Sequence, residues 1–261
     1  MSCLKHKKNV NSQNGEDGII EYIFNKLNIK DGNFLEFGAW DGKLYSNCLK
    51  LIHEGWSGIF IEGDPLKFKD LQKNFGGSEK ITCLLEYVSY EDSNNLDSII
   101  DRSSHKRLDF DIFCIDVDGL DYNIFKDLNK NLPKVICIEI NAGHSPLYEK
   151  VIPEEIAKDN VGQSIKIISD IAEEKGYFPL CYTGNLFLVK KEYKEIFEED
   201  LKDIKEMYID FLSYLSQGEL DYLFMTFILN GDPNSEYFNN DIMKEFFLKL
   251  PRYSRYILST V

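Results

Sequence analysis

The 261-residue sequence has no Cys-x-x-Cys pair, no internal repeat and no low-complexity tract. Its six cysteines are far apart and four of them lie inside apolar runs, which predicts buried free thiols in a reducing compartment rather than a zinc site. No segment approaches the about 18 consecutive apolar residues that a membrane span needs, and no apolar run follows the charged first residues. We therefore expect a cytoplasmic protein without a membrane span.

Basic residues are scarce: 30 Lys and Arg stand against 44 Asp and Glu, which gives a formal net charge of −14. A mean field of this sign repels polyanions, so we expect no nucleic-acid partner. The hydrophobic content of 43% and the aromatic content of 13% are typical of a globular chain and exclude disorder for most of it.

Short apolar runs alternate with segments of helical periodicity, which is the pattern of βαβ units and a mainly parallel sheet. The predicted strands are 34–37, 58–62, 81–85, 111–117, 135–140, 177–182 and 186–189. The last two flank Thr183-Gly184-Asn185, which predicts a hairpin. Helices are predicted at 15–27, 44–54, 65–75, 120–128 and 161–175. These elements predict an α/β fold whose sheet ends in an antiparallel pair.

After residue 190 the composition changes to Lys, Glu and aromatic residues with helical spacing. We therefore divide the chain into a sheet domain, residues 1–190, and a C-terminal helical extension, residues 191–261, with a turn-rich break at 231–240. The apolar stripes of the extension need a surface to cover them. That surface lies either on the first domain or, in a homodimer, on a second subunit.

Two acidic residues follow neighbouring predicted strands. Glu36, Gly38 and Gly42 form an E-x-G-x-x-x-G motif between a strand and a helix, where glycine lets the backbone approach a ligand. This spacing differs from the dinucleotide motif G-x-G-x-x-G, and Glu36 suits an ammonium group better than a pyrophosphate. Glu62 ends the next strand, where an acid can accept hydrogen bonds from ribose hydroxyls. Together these residues predict an S-adenosylmethionine site.

These motifs, together with SQNGEDGII, DIFCIDVDGLDYNIF, VICIEIN and the hairpin residue Asn185, resemble the FkbM-like family of class I S-adenosylmethionine-dependent methyltransferases over about residues 11–190. The resemblance implies a Rossmann-like, seven-stranded methyltransferase sheet with an antiparallel last strand. It also implies O-methylation of a carbohydrate or sugar-derived hydroxyl, and the Lys-, Asn- and Ile-rich composition suggests, by analogy, bacterial capsule or surface polysaccharide biosynthesis. The implied cofactor-binding residues are Gln13, Asp17, Glu36, Phe37, Gly38, Ser46, Asn47, Glu62, Gly63, Tyr87 and Val88.

Two of these groups have alternative interpretations. The segment from Ser12 to Asp17 either caps the first helix or forms a lid over the cofactor. Ser46 and Asn47 either bind the methionine carboxylate or lie on a helix surface.

Acidic and amide side chains also follow the two central strands, as Asp116 and Asp118 after one and Glu139 and Asn141 after the other. Residues i and i+2 of a strand point to one face, so each pair converges at the same edge. Three interpretations stay open: Asp116, Glu139 and Asn141 bind Mg²⁺ or Mn²⁺, they bind the acceptor directly, or they are structural. Ile140 stands where a metal-dependent relative would place a further ligand.

Methyl transfer to a hydroxyl needs a proton acceptor. His144, three residues beyond Asn141, is the first candidate for the general base because imidazole titrates near neutral pH, and Asp118 is the competing candidate. Two other functions remain open. The Asp116-x-Asp118 motif also occurs in metal-dependent glycosyltransferases, and the fold could serve as a non-catalytic binding module.

Overall fold

The computed structural model describes residues 2–90, 92–103, 108–117, 119–158, 161–229 and 240–259. Its centre is one seven-stranded sheet with the order β3-β2-β1-β4-β5-β7-β6. The strands are β1 (Asn33–Phe37), β2 (Ser57–Glu62), β3 (Ile81–Leu85), β4 (Ile112–Ile115), β5 (Val135–Glu139), β6 (Tyr177–Tyr182) and β7 (Asn185–Lys190). Neighbouring strands from β3 to β5 pair in parallel, and β7 is antiparallel to both β5 and β6. The predicted fold class is confirmed.

Helices cover the sheet and extend beyond its last strand. They are α1 (Glu16–Leu27), α2 (Leu49–His53), α3 (Pro65–Phe75), α4 (Leu96–Arg102), α5 (Asp121–Asp127), α6 (Glu154–Ala157), α7 (Ile165–Glu174), α8 (Ile204–Tyr214), α9 (Gln217–Leu223), α10 (Asp241–Leu248) and α11 (Pro251–Ser259). A 3₁₀ segment, Lys191–Asp200, joins β7 to α8, and a π-helical turn, Phe224–Leu229, follows α9. All four residues of β4 are buried, as expected for a central strand covered on both faces.

Two predicted helices are shorter than their periodicity indicated. The helix predicted at 44–54 begins only at Leu49, because Tyr45 has a positive φ of 57° and the Ser46 hydroxyl accepts hydrogen bonds from the first backbone N–H groups of the helix. The helix predicted at 161–175 begins at Ile165, where the Ser164 side chain accepts from the Ile167 N–H. The helix start is therefore set by a serine hydroxyl and not by the apolar spacing, through the turn at Ser46 before α2 and through the N-cap Ser164 of α7.

The C-terminal extension packs on the sheet domain. The ring of Phe211 in α8 contacts Tyr182 in β6 with 4.5 Å between centroids, and Tyr22 in α1 donates a hydrogen bond to Asp200. Buried Asn240 donates to the backbone of the loop after β5 at His144 O, 2.9 Å away. These contacts cover much of the apolar stripes within one chain, and the homodimer stays a prediction. Within the described part of the chain, no helix is both long and apolar enough to cross a membrane.

Candidate functional site

A cavity of about 580 Å³ lies where β1, β4 and β5 end. This is the edge at which parallel α/β sheets bind ligands, and the volume lies in the usual range for small-molecule sites. The loop after β1, the segments after β4 and β5, the β6–β7 hairpin and the C-terminal helices all contribute to its walls. The lining includes Gln13, Asn14, Glu16, Tyr45, Asn47, Asp116, Asp121, Glu139, Asn141, Asn185, Phe211, Leu215, Glu219, Tyr222, Leu223 and Phe227.

The Glu36 carboxylate, at the end of β1, organises the loop that follows. It accepts hydrogen bonds from the Ser46 hydroxyl at 2.8 Å, the Asn47 N–H at 3.0 Å and the Cys48 N–H at 3.1 Å. Burial raises the pKa of Glu36 to about 8, and these hydrogen bonds only partly oppose that rise. Glu36 does not line the cavity, but it positions Asn47, which does.

Gly38 allows the loops after β1 and β4 to approach each other closely. Its φ is +72°, and a Cβ atom built at this position would lie 2.1 Å from the carbonyl oxygen of Asp116. Only glycine fits this close approach of the two loops. Phe37, which precedes it, is buried in the apolar core, so its side chain faces the sheet interior rather than a ligand.

Glu62 ends β2 and is also engaged by backbone groups. Its two oxygens accept from the Trp40 N–H at 2.8 Å and the Asp64 N–H at 2.7 Å. Each carboxylate oxygen retains a second acceptor site, so a ribose hydroxyl can still donate to it. Neither Glu62 nor the other residues predicted near the ribose and adenine, Gly63, Tyr87 and Val88, lines the 580 Å³ cavity. Tyr87 is 65% exposed and Val88 is buried.

In the N-terminal motif, Asp17 has a structural role and Gln13 lines the cavity. Asp17 is buried, and its Oδ2 accepts hydrogen bonds from the backbone of Val10, Asn11 and Ser12 and from the Ser12 hydroxyl. These contacts hold the segment before α1 in place, and Asp17 does not line the cavity. Gln13, by contrast, is exposed and lines the cavity.

Among the proposed metal ligands, Asp116, Glu139 and Asn141 all line the cavity. The Asn141 amide is already engaged, since its nitrogen donates to Val161 O at 3.1 Å and its oxygen accepts from Gly143 N–H at 2.8 Å. Within the described ranges no group of three or more His, Cys, Asp or Glu side chains is arranged to hold a metal ion. The described residues thus do not complete a ligand set. Asp118 lies outside the described residues.

His144 does not have the surroundings expected of a general base. It is 1% exposed and is not part of the cavity lining. Its Nε2 lies 2.7 Å from the carbonyl oxygen of Val161, and because a carbonyl only accepts, that nitrogen must carry and donate a proton. His144 therefore joins the loop after β5 to the segment before α7, and its role as the general base stays a prediction.

Glu16 and the C-terminal helices also line the cavity, and neither was predicted there from the sequence. Glu16 lines the cavity, and its Oε1 accepts from Thr183 Oγ1 at 2.8 Å and from Asn185 Nδ2 at 3.2 Å. It therefore joins the start of α1 to the β6–β7 hairpin. The only sequence signal was that the SQNGEDGII segment and Asn185 both belong to the family resemblance.

No family model and no curated protein matches this chain. Several solved structures are similar to it, among them the following three. The CurJ carbon methyltransferase is 12% identical over 72% of this chain and 56% of its own, with a TM-score of 0.44, so the chain spans little more than half of that protein. An S-adenosylmethionine-dependent methyltransferase from Aquifex aeolicus is 14% identical over 65% and 86%, with a TM-score of 0.39. TrmK of M. capricolum, in complex with S-adenosyl-homocysteine, is 14% identical over 87% and 91%, with a TM-score of 0.41.

These similarities are weak, and we transfer no residue role from them. The strand order, with β7 antiparallel between β5 and β6, is the firmer observation. The chain has the seven-stranded, Rossmann-like α/β fold of class I methyltransferases, with additional C-terminal helices.

Proposed function

We propose that this protein is an S-adenosylmethionine-dependent O-methyltransferase that acts on a hydroxyl of a carbohydrate or sugar-derived acceptor. The observation that carries the proposal is the cavity at the ends of β1, β4 and β5. Its walls include the loop that Glu36 holds in place and Asp116, which the backbone approaches closely at Gly38. Bacterial capsule or surface polysaccharide biosynthesis is the setting that the family resemblance favours.

The charge of the cavity suits this donor. Five carboxylates line it, and among its described lining residues there is no Lys, Arg or His; the five are Glu16, Asp116, Asp121, Glu139 and Glu219. The donor carries a positive sulfonium, whereas the sulfur of S-adenosylhomocysteine is neutral. An acidic cavity therefore favours the donor over the product, and it also opposes the binding of anionic ligands.

The reaction is an in-line displacement in which the acceptor oxygen bonds to the methyl carbon as the carbon–sulfur bond breaks. The protein must align these three atoms and take one proton from the hydroxyl. Asp116 directly follows β4 and Glu139 is the last residue of β5; both carboxylates line the cavity, and either can accept that proton. Asp118 stays a predicted alternative.

The cofactor assignment predicts that S-adenosylhomocysteine binds with a micromolar dissociation constant, about −8 kcal/mol. Isothermal titration calorimetry measures it. NAD and, with Mn²⁺ present, uridine diphosphate glucose serve as comparison ligands and are expected to give no heat of binding. Binding of the nucleotide sugar but not of S-adenosylhomocysteine would instead support the glycosyltransferase interpretation.

Methyl transfer is expected to persist after dialysis against EDTA, because the Asn141 amide is engaged and only Asp116 and Glu139 remain of the three predicted ligands. The measurement is a radiolabelled methyl-transfer assay before and after dialysis, with Mg²⁺ or Mn²⁺ added back. Activity that is lost in EDTA and returns with the cation would restore the metal interpretation, and a weaker cation dependence in Asp116→Asn would then identify a ligand.

A further inference from the structure

The C-terminal helices form an apolar wall of the cavity. Its side chains come from α8, α9 and the π-helical turn and are Phe211, Leu215, Tyr222, Leu223 and Phe227. The family resemblance ends at about residue 190, so this wall lies outside it. The sheet side of the cavity is acidic, with carboxylates such as Asp116 and Glu139, whereas this wall is apolar.

Tyr222 is the most accessible part of the wall. Its side chain borders the cavity and is 64% exposed, so its ring can contact a ligand because it is not packed in the core. Phe227 is tied to the sheet domain instead, since its ring packs against Gly143, where an added Cβ would lie 2.3 Å away. The wall is therefore fixed on one side and open at Tyr222.

An aromatic ring of this kind favours a ligand with a flat apolar face. A pyranose presents such a face of C–H groups, and its hydroxyls remain free at the ring edge for methylation and hydrogen bonding. The wall is thus suited to hold a sugar ring while the carboxylates at the ends of β4 and β5 contact its hydroxyls.

The same cavity is unsuited to phosphate. Phosphates are bound by Lys or Arg side chains or by open helix N-termini, and the described lining residues include neither basic side chain. Helices α1, α5 and α9 begin at the cavity, and each places a carboxylate of its first turn there, namely Glu16, Asp121 and Glu219. In α9 the first turn is also closed by the capping box of Ser216 and Glu219. The carboxylates of the cavity would therefore repel a nucleotide sugar or sugar phosphate.

We propose that the acceptor is a sugar ring without phosphate or nucleotide, stacked on Tyr222 in the wall of the C-terminal helices. This inference rests on the proposed function and narrows its substrate class. The absence of phosphate from the acceptor also places this methylation after another reaction, because activated sugars carry a phosphate or diphosphate. A glycosyl transfer or a dephosphorylation must therefore act before this methylation.

The test compares methyl β-D-glucopyranoside, D-glucose 6-phosphate and uridine diphosphate glucose by saturation-transfer NMR, with and without S-adenosylhomocysteine. We expect the neutral glucoside to bind at least about tenfold more tightly than either phosphorylated probe. Tyr222→Ala should weaken glucoside binding about three- to tenfold. Tyr214→Ala is the matched control, because Tyr214 is 44% exposed on α8 and does not line the cavity, and it should leave binding unchanged.

A variant that removes one carboxylate of the cavity tests the repulsion of phosphate separately from the stacking of the sugar on Tyr222. Glu219→Gln removes one negative charge, and because glutamine also serves at this position of a capping box, α9 should keep its start. We expect this variant to bind glucose 6-phosphate more tightly than the wild type does. Glu206→Gln, at the same position of α8 and away from the cavity, should change nothing.

Three results would overturn the inference: no binding of the glucoside, equal or tighter binding of a phosphorylated probe, or full glucoside affinity in Tyr222→Ala. These results are distinguishable from a failure of the proposed function. If S-adenosylhomocysteine does not bind, the methyltransferase proposal fails, whatever the order of the sugar probes. If it binds but the glucoside and the phosphate compete equally, only the acceptor class is wrong.

Discussion

Replacing Gly38 with alanine should abolish S-adenosylhomocysteine binding and lower the free energy of unfolding by about 2–4 kcal/mol. The backbone at this position has a φ of +72°, which alanine adopts only with strain. Its Cβ would also lie 2.1 Å from the Asp116 carbonyl oxygen, so the loops after β1 and β4 would have to separate. Both loops border the cavity through Asn47 and Asp116. Calorimetry and urea denaturation measure the two effects.

The matched control is Gly77→Ala. A Cβ at Gly77 meets no atom within 4 Å and its φ lies outside the positive range, so this variant should retain both stability and ligand affinity. A Gly38→Ala protein that binds S-adenosylhomocysteine as tightly as the wild type would show that the close approach of β1 and β4 is not part of the cofactor site.

Much of the sheet is readable from local sequence. The strand predicted at 81–85 and the helix predicted at 65–75 match β3 and α3 residue for residue. A continuous apolar run and a proline-initiated, glycine-terminated periodic segment are signals that depend on few distant contacts. The E-x-G-x-x-x-G motif was likewise recognised at the end of the first strand, because its meaning depends on the turn that directly follows.

The site itself was less predictable because its contacts join distant residues. The choice of His144 as base rested on its residue type, but its environment is set by the Val161 carbonyl, 17 positions along the chain. Glu16 acquires its place in the cavity through Asn185, 169 positions away. For the apolar wall, the sequence predicted only apolar stripes that must pack on some surface. Periodicity does not indicate which part of an amphipathic face remains open to a ligand.

The second large effect concerns the pH dependence of stability. Burial raises the pKa of Glu36 to about 8, whereas an unfolded glutamate titrates near 4.3. Between these values the folded state binds more protons than the unfolded state. The stabilising contribution of Glu36 is therefore complete below about pH 4 and is lost as the pH rises through about 8, at up to about 1.4 kcal/mol per pH unit. Above that range its contribution no longer changes.

The variant Glu36→Gln isolates this contribution because it cannot titrate. At low pH the folded wild type holds a neutral carboxyl group whose two oxygens accept from Ser46, Asn47 and Cys48, whereas glutamine offers one acceptor oxygen, so the variant should be less stable there by about 1–3 kcal/mol. At a slope of about 1.4 kcal/mol per pH unit the wild type loses up to about 4 kcal/mol between pH 5 and 8, so its advantage over the variant should shrink and then reverse in sign over this range. Urea denaturation at each pH measures it, with exposed Glu79→Gln as the control. A wild-type advantage that grows with pH would mean that the three hydrogen bonds outweigh burial and hold Glu36 ionised.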